Sequence, residues 1–305
     1  MLIGNRYRVH KEISRGSFGI IYQGIDQRSY GIDQRSHSID QRSHSIDQRS
    51  HSINKRSQEK VAIKMELPGS PSSLKYEVKI LTYLKTNKIK QVPEIYWFGL
   101  YNQTIPCLIM TYYDYSLYEF FSNKPEDCHK GVIHNWIYQI IDILENLHKV
   151  FLLHRDIKPQ NIMLRGSTLY FIDFGLSTFY IDENRDHIPD FSKEKQDTKL
   201  ENPIVGSPKF ASIFLYQGHR YSRRDDIISV VYLYVYMITG GQSQWFDPDH
   251  TIAEQNKQKD TFMTNLYRDY GEPFDWTLFH YFIDYSYQLG YDEMPNYESM
   301  KRLFS

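Results

Sequence analysis

A chain of 305 residues is long enough for one or two domains, and 36 Lys+Arg against 37 Asp+Glu leave a formal net charge of −1. That balance exerts no global pull toward nucleic acid or an anionic membrane. Two cysteines, Cys107 and Cys128, are too few for a disulfide framework and make a reducing, intracellular compartment the default. The longest apolar run, Ile227 to Ile238, is broken only by Ser229; it is too short to span a bilayer and reads as a buried core helix. MLIGNRYRVH at the N-terminus has no apolar core of signal-peptide length, so a soluble protein is expected.

In chain order, ISRGSFGIIYQG (Ile13 to Gly24) reads as a glycine-rich turn between two strands. Gly16, Ser17 and Gly19 form a turn whose backbone can close over an anionic group without a side chain in the way. From Ile25 a seven-residue unit repeats: IDQRSYG, then IDQRSHS three times, then INKRSQEK. One apolar residue per unit cannot build a coiled-coil seam, and so polar a composition cannot bury enough surface to order itself. His37, His44 and His51 lack Cys or carboxylate companions at metal-ligand spacing. Removing Ile25 to Ser52 leaves GINKRSQEKVAIK, an ordinary connection between strands, so the repeat reads as a tandem expansion of a surface loop. The Arg three residues before a Ser in each RSHS suits a docking or phosphorylation tail, the lesser reading.

VAIK (Val61 to Lys64) reads as a strand, and SSLKYEVKILTYLK (Ser72 to Lys85) as a helix with Leu74, Val78, Leu81 and Leu84 in one stripe. Strand-like stretches follow at Ile95 to Leu100 and Pro106 to Met110. Ile133, Trp136, Ile137, Ile140, Ile141, Leu144 and Leu147 then recur at the spacing of a long helix. Trp136 is a core residue on this pattern, and His134 and His148 are core or surface residues rather than reactive ones. HRDIKPQN (His154 to Asn161) comes next, and DFG (Asp173 to Gly175) follows a hydrophobic stretch.

Those two motifs in that order resemble the protein kinases. The resemblance implies an α+β, bilobal fold, with a small β-rich N-lobe carrying one helix and a larger, mostly helical C-lobe. It divides residues 1–305 into an N-lobe 1–110 with the repeat inserted at about 25–58, a hinge 111–114 and a C-lobe 115–305. Asp156 would accept the proton of the attacked hydroxyl, and Lys158 would offset charge on the transferred phosphate. Asn161 and Asp173 would ligate Mg2+, and Lys64, held by Glu77, would pair with the α- and β-phosphates of ATP. Met110 would face the adenine pocket, with backbone groups of Thr111 and Tyr113 bonding the base. Ile13, Ile21, Ala62, Met163 and Ile172 would sandwich the ring. The first glycine of the family's loop is Ser14 here.

Within the kinases, GSPKFASIFLYQGHRYSRRDD (Gly206 to Asp226) resembles the casein kinase 1 family, with Ala211, Ser212 and Ile213 where others carry APE. DHIP (Asp186 to Pro189) and MPNYESMKRLF (Met294 to Phe304) are similar to it as well. That resemblance covers the chain apart from the repeat. It implies a monomeric, cytoplasmic or nuclear serine/threonine kinase that acts on protein substrates, without nucleic acid or membrane partners. Asp226 would hold the backbone of the HRD loop. Arg224 would be part of the basic support near the activation segment. Lys209, with Arg223 and Arg224, would form a substrate anion site favouring acidic or phosphate-primed sequences; the plainer alternative is solvated surface charge, or arginines that only brace that segment. The chain departs from the family at Phe214, where Asn is usual, and at Lys209, which stands for an arginine and lacks its bidentate fork. The stretch 187–206 is longer, and AEQNKQKD (Ala253 to Asp260) is mixed in sign where the family is densely basic. A kinase fold serving as a catalytically weak or dead scaffold is the alternative, opposed by the presence of all six catalytic-set residues. A small-molecule kinase is disfavoured by ASI and SRRDD.

Overall fold

The computed structural model describes residues 1–16, 19–30, 59–67, 73–123, 128–190, 204–242, 245–270 and 276–305. Most of the heptad repeat and Ser17 lie outside the described residues. The chain forms two compact units, Met1–Val78 with Pro93–Tyr112, and Lys79–Val92 with Tyr113–Ser305.

The first unit is a six-stranded antiparallel sheet. Its strands are β1 (Leu2–Ile3), β2 (Tyr7–Gly16), β3 (Gly19–Asp26), β4 (Lys60–Glu66), β5 (Ile95–Tyr101) and β6 (Ile105–Thr111), in the order β1-β2-β3-β4-β6-β5. Alternation along the strands gives the sheet two different faces. On one, Ile3, Tyr7, Val61, Ile63, Met65, Cys107 and Ile109 form the core, with Trp97 packed against them. The cross-strand pairs Ile21↔Lys64↔Leu108 and Gln23↔Ala62↔Met110 lie on the other. Gly19 is required by packing: a Cβ there would sit 2.4 Å from the Met65 carbonyl oxygen.

The repeat enters between β3 and β4. Their ends close directly, since the Asp26 N–H donates to the Glu59 carbonyl at 3.0 Å. Asp26 also accepts from Arg6 Nε at 2.8 and 2.9 Å, and that hydrogen bonding holds its carboxyl below the ordinary value. The expansion is therefore hung on a hairpin whose mouth is pinned by an ion pair.

The helix α1 (Leu74–Thr86) starts in the first unit, and its Leu74 N–H is capped by Glu66 Oε1 at 2.7 Å. The segment 79–92 belongs to the second unit, whereas the sequence assigns it to the small lobe. Tyr83 accounts for the difference. Its hydroxyl donates to the Val150 carbonyl at 3.0 Å, and its ring packs edge-on against Phe179 at 5.0 Å. The Phe171 N–H, bonded to the Gln91 carbonyl at 3.0 Å, adds a third tie.

In the second unit β7 (Tyr115–Ser116) leads into α2 (Leu117–Ser122), which opens on a capping box of Ser116 and Glu119. The helix α3 (Lys130–Lys149) buries the apolar stripe expected of it. Short strands β8 (Leu152–Leu153), β9 (Ile162–Arg165), β10 (Thr168–Phe171) and β11 (Thr178–Phe179) pair as β10-β9-β7 and β11-β8. After α4 (Ile213–Tyr216) comes α5 (Arg223–Ile238), buried from Arg223 through Met237. It packs on α3 and on α7 (Trp276–Gln288), and α6 (Ile252–Tyr270) packs on α4. The last helix, α8 (Tyr297–Leu303), is stapled to α3 by Lys301, which reaches Asp142 at 3.2 Å and Glu145 at 2.8 Å. No helix among the described residues is long and apolar enough to cross a membrane.

Candidate functional site

In the first unit Lys64 and Glu77 form a buried ion pair, Nζ to Oε2 at 2.7 Å, with Glu77 1% exposed. Such a pair survives desolvation only when its geometry is good and its remaining donors are used. Placing Lys64 on the sheet face away from the core lets α1 bring the carboxylate to it. Ile21, Ala62 and Met110 share that face. Ile13, in β2, is exposed. Gly16 pairs with Gly19 at the turn of the β2–β3 hairpin, with Ser17 outside the described residues. The Thr111 N–H is committed to the Glu94 carbonyl at 3.0 Å, so it is not a donor for a ligand.

In the second unit the turn 154–161 is held from beneath. Asp226, fully buried at the start of α5, accepts the backbone N–H of His154 at 2.9 Å and of Arg155 at 3.0 Å. It also accepts from His148 Nε2 at 3.0 Å and the Tyr221 hydroxyl at 3.2 Å. Burial works against its charge, but the His148 bond and its other donors keep the Asp226 carboxyl below the ordinary value. His154 is likewise buried, which lowers its pKa. Its Nε2 faces the Ile172 carbonyl at 3.2 Å and its Nδ1 faces the Asp156 N–H at 3.3 Å. Those partners fix a neutral ring with the proton on Nε2.

Above this support sits a carboxylate with two unlike oxygens. Asp156 Oδ2 lies 2.7 Å from Lys158 Nζ and accepts from Asn161 Nδ2 at 2.9 Å. Asp156 Oδ1 is buried and has no hydrogen-bond partner among the described residues. One oxygen is thus anchored and the other is an acceptor still to be filled, the arrangement needed to take a proton from a bound hydroxyl. Asn161 uses its Nδ2 on the Asp156 carbonyl and carboxylate, at 2.8 and 2.9 Å, which turns its carbonyl oxygen away from Asp156. Asp173 adopts a left-handed backbone, φ 62°, and opens the short 3-10 turn Phe174–Leu176. Met163 lies on β9, and the Ile172 N–H bonds to the Asn161 carbonyl at 2.9 Å. Tyr113 packs its ring on Tyr170 at 4.7 Å.

Asn161 and Asp173 offer hard oxygen donors. No cluster of three His, Cys, Asp or Glu residues suited to a metal occurs among the described residues. Two protein oxygens fit a small hard divalent cation that completes its shell with water and phosphate, rather than a protein cage.

Two residues that open the stretch GSPKFASI meet this region. Ser207 Oγ accepts from Lys158 Nζ at 2.9 Å, linking a distant segment to the Asp156 turn. Gly206, at φ +92°, backs against that turn so closely that a Cβ would lie 2.3 Å from the Arg155 carbonyl oxygen. Only their approach in space reveals these contacts.

Arg223 and Arg224, expected beside Lys209, are buried side chains. They are 5% and 7% exposed. Arg223 donates to the Tyr180 hydroxyl at 3.3 Å and to the Asp292 carbonyl, and its guanidinium lies 4.6 Å from the Tyr180 ring centroid. Arg224 stacks 3.6 Å from the Phe214 ring centroid. Both brace the start of α5 against aromatic side chains. Lys209 is half-buried, which lowers its pKa, and its carbonyl accepts from Trp245 Nε1 at 2.8 Å.

A family model described as the protein kinase domain matches residues 48–288. The match begins within the repeat, so the glycine-rich hairpin precedes it.

Proposed function

Because the chain belongs to the protein kinase family, on a match spanning well over half its length, we propose that it is a serine/threonine kinase of casein kinase 1 type. It would move the γ-phosphate of MgATP to Ser and Thr hydroxyls of proteins. The observation that carries the reading is the divided Asp156 carboxylate, with Oδ2 tied to Lys158 and Asn161 and Oδ1 unfilled. Bound MgATP supplies the electrophilic phosphoryl group. The residues supply position and charge. Asp156 Oδ1 accepts the hydroxyl proton, while Lys158 offsets negative charge where it develops. Asp226 fixes the two backbone amides at the head of the loop. Asn161 and Asp173 would hold the magnesium, and Lys64, kept extended by Glu77, would hold the α- and β-phosphates.

The casein kinase 1 assignment is supported by Ala211-Ser212-Ile213 followed by Ser222-Arg223-Arg224-Asp225-Asp226. With Arg223 and Arg224 turned inward, Lys209 is the cation left to favour an acidic or phosphorylated residue near the acceptor. A lone lysine acts there as a point charge, so the preference is modest and shrinks with salt. The test is magnesium-dependent transfer from ATP to casein, with Asp156→Asn as control. Loss of a positioned proton acceptor should lower turnover by about 10²- to 10⁴-fold. A wild-type chain that binds ATP yet transfers no phosphate would instead favour a scaffold.

A further inference from the structure

Lys259, on α6, takes no part in the groups described above, yet it is fully buried, 0% exposed. An ammonium group so placed is costly unless its donors are met. Burial pulls its pKa well below the ordinary lysine value. Its Nζ donates to the Pro208 carbonyl at 2.7 Å and the Ala211 carbonyl at 2.6 Å. It also lies 4.8 and 4.5 Å from the ring centroids of Tyr216 and Tyr232.

Both carbonyls belong to one short stretch. The Tyr216 hydroxyl donates to Pro208 as well, at 2.9 Å, and Trp245 Nε1 takes the carbonyl of Lys209 between them. Side chains from α4, from α6 and from Trp245 thus hold three of four successive carbonyls. The residue just before them is Ser207, which receives the Lys158 ammonium. A lysine that only filled space would not need both donors aimed at the same five-residue segment. We propose that Lys259 is a positioning residue: by gripping Pro208 and Ala211 it sets the segment 207–211 so that Ser207 meets Lys158 and Lys209 keeps its place. This inference rests on the kinase reading. It differs from an anion-binding role, because a fully buried ammonium offers nothing to a substrate.

The test compares the full-length wild-type chain with Lys259→Met, which keeps the side-chain length and removes the donors. Two readouts are needed, casein kinetics well below the melting temperature and hydrogen exchange of the Phe210 and Ala211 amides, which bond to the Ser207 carbonyl. The variant should lose roughly 10²-fold in kcat/KM for casein while KM for ATP stays within about twofold, since small misplacement at a reacting centre has effects of that size. Exchange at Phe210 and Ala211 should quicken by about tenfold or more as the segment loosens. Tyr216→Phe deletes one of the two donors to Pro208 and should move both readouts the same way by less. It decides the matter if Lys259→Met does not fold. Unchanged exchange in the variants, or faster exchange with casein kinetics like wild type, would overturn the proposal. A wild-type chain without transfer activity would sink the kinase reading itself, while the exchange comparison would still show whether Lys259 holds the segment.

Discussion

Lys158 donates to the Ser207 hydroxyl at 2.9 Å while its ammonium sits 2.7 Å from Asp156 Oδ2. The contact joins the 154–161 turn to a segment far along the chain, so the two are set together. A hydrogen bond to a charged group contributes about 1.5–3 kcal/mol. Ser207→Ala should therefore lower kcat/KM for a protein substrate by roughly 10- to 100-fold, and Ser207→Thr should retain most of it. Equal activity in the alanine variant would mean that Lys158 is held by Asp156 alone.

The Lys64–Glu77 pair allows a separation of stability from activity. Removing one partner strands a buried charge, which costs about 3–5 kcal/mol, whereas replacing both with apolar residues is often neutral or better. Lys64→Met should therefore lower the melting temperature markedly, and Lys64→Met with Glu77→Leu should restore much of it. Activity should stay low in both, because under the proposed role of Lys64 the phosphates of ATP lose their cation. A double variant that regains activity with stability would show that the pair serves the fold alone.

How much of this was legible in the sequence depended on distance along the chain. The strand of Lys64 and the helix of Glu77 have patterns that stand clear of their surroundings, while the pairing of the two came from the kinase resemblance. The periodic stripe of α3 and the apolar run within α5 are likewise local signals. The contacts of Ser207, Gly206 and Lys259 were not legible, because each is made with a partner 48 to 51 residues away. Lys259 in particular lies in a stretch of mixed charge that reads as solvated surface. That Arg223 and Arg224 are buried was not legible for the same reason. Charged residues are seldom buried, and the rings that take them in, Tyr180 and Phe214, come from elsewhere in the chain. The sequence placed the repeat between two strands, but not the Asp26–Glu59 bond that closes the hairpin beneath it.

That bond refines what a deletion should do. Removing 25–52 would put Asn54 in place of Asp26 and lose the ion pair with Arg6. Removing 32–52 takes out three whole units and leaves Asp26 and Glu59 intact. The connection shortens roughly threefold, and each halving of a flexible loop returns about 0.6 kcal/mol. The 32–52 deletion should therefore raise stability by about 1 kcal/mol and leave the KM for ATP unchanged, while the 25–52 deletion should be the less stable of the two. Thermal melting of both variants beside wild type checks the order. A large loss of stability from the shorter deletion would mean that the repeat contributes packing of its own.

Asp225 gives a pH dependence with a definite sign. It caps α5 through Ser222, whose N–H and hydroxyl meet Asp225 Oδ2 at 2.7 and 3.2 Å, and the Ser212 hydroxyl also bears on the carboxylate. Burial raises its pKa from 3.8 to about 6, against the pull of Arg224 and of its hydrogen bonds. A carboxyl whose folded pKa is raised binds its proton more tightly when native, so the charged form works against the fold. The penalty is absent below pH 4, grows between about 4 and 6, and is complete above that. At about 1.36 kcal/mol per pKa unit it amounts to ~3 kcal/mol. In Asp225→Asn the side-chain oxygen still accepts from Ser222, and the charge is gone. The variant should melt at the same temperature as wild type near pH 4 and several degrees higher at pH 8. Asp226, with its pKa held below the ordinary value, works in the opposite direction: its stabilisation is present at neutral pH and fails as the pH drops through the depressed pKa. Both proteins therefore lose that contribution alike in acid, and the difference between them isolates Asp225. A gap in melting temperature that stays constant from pH 4 to pH 8 would show that Asp225 does not titrate in this range.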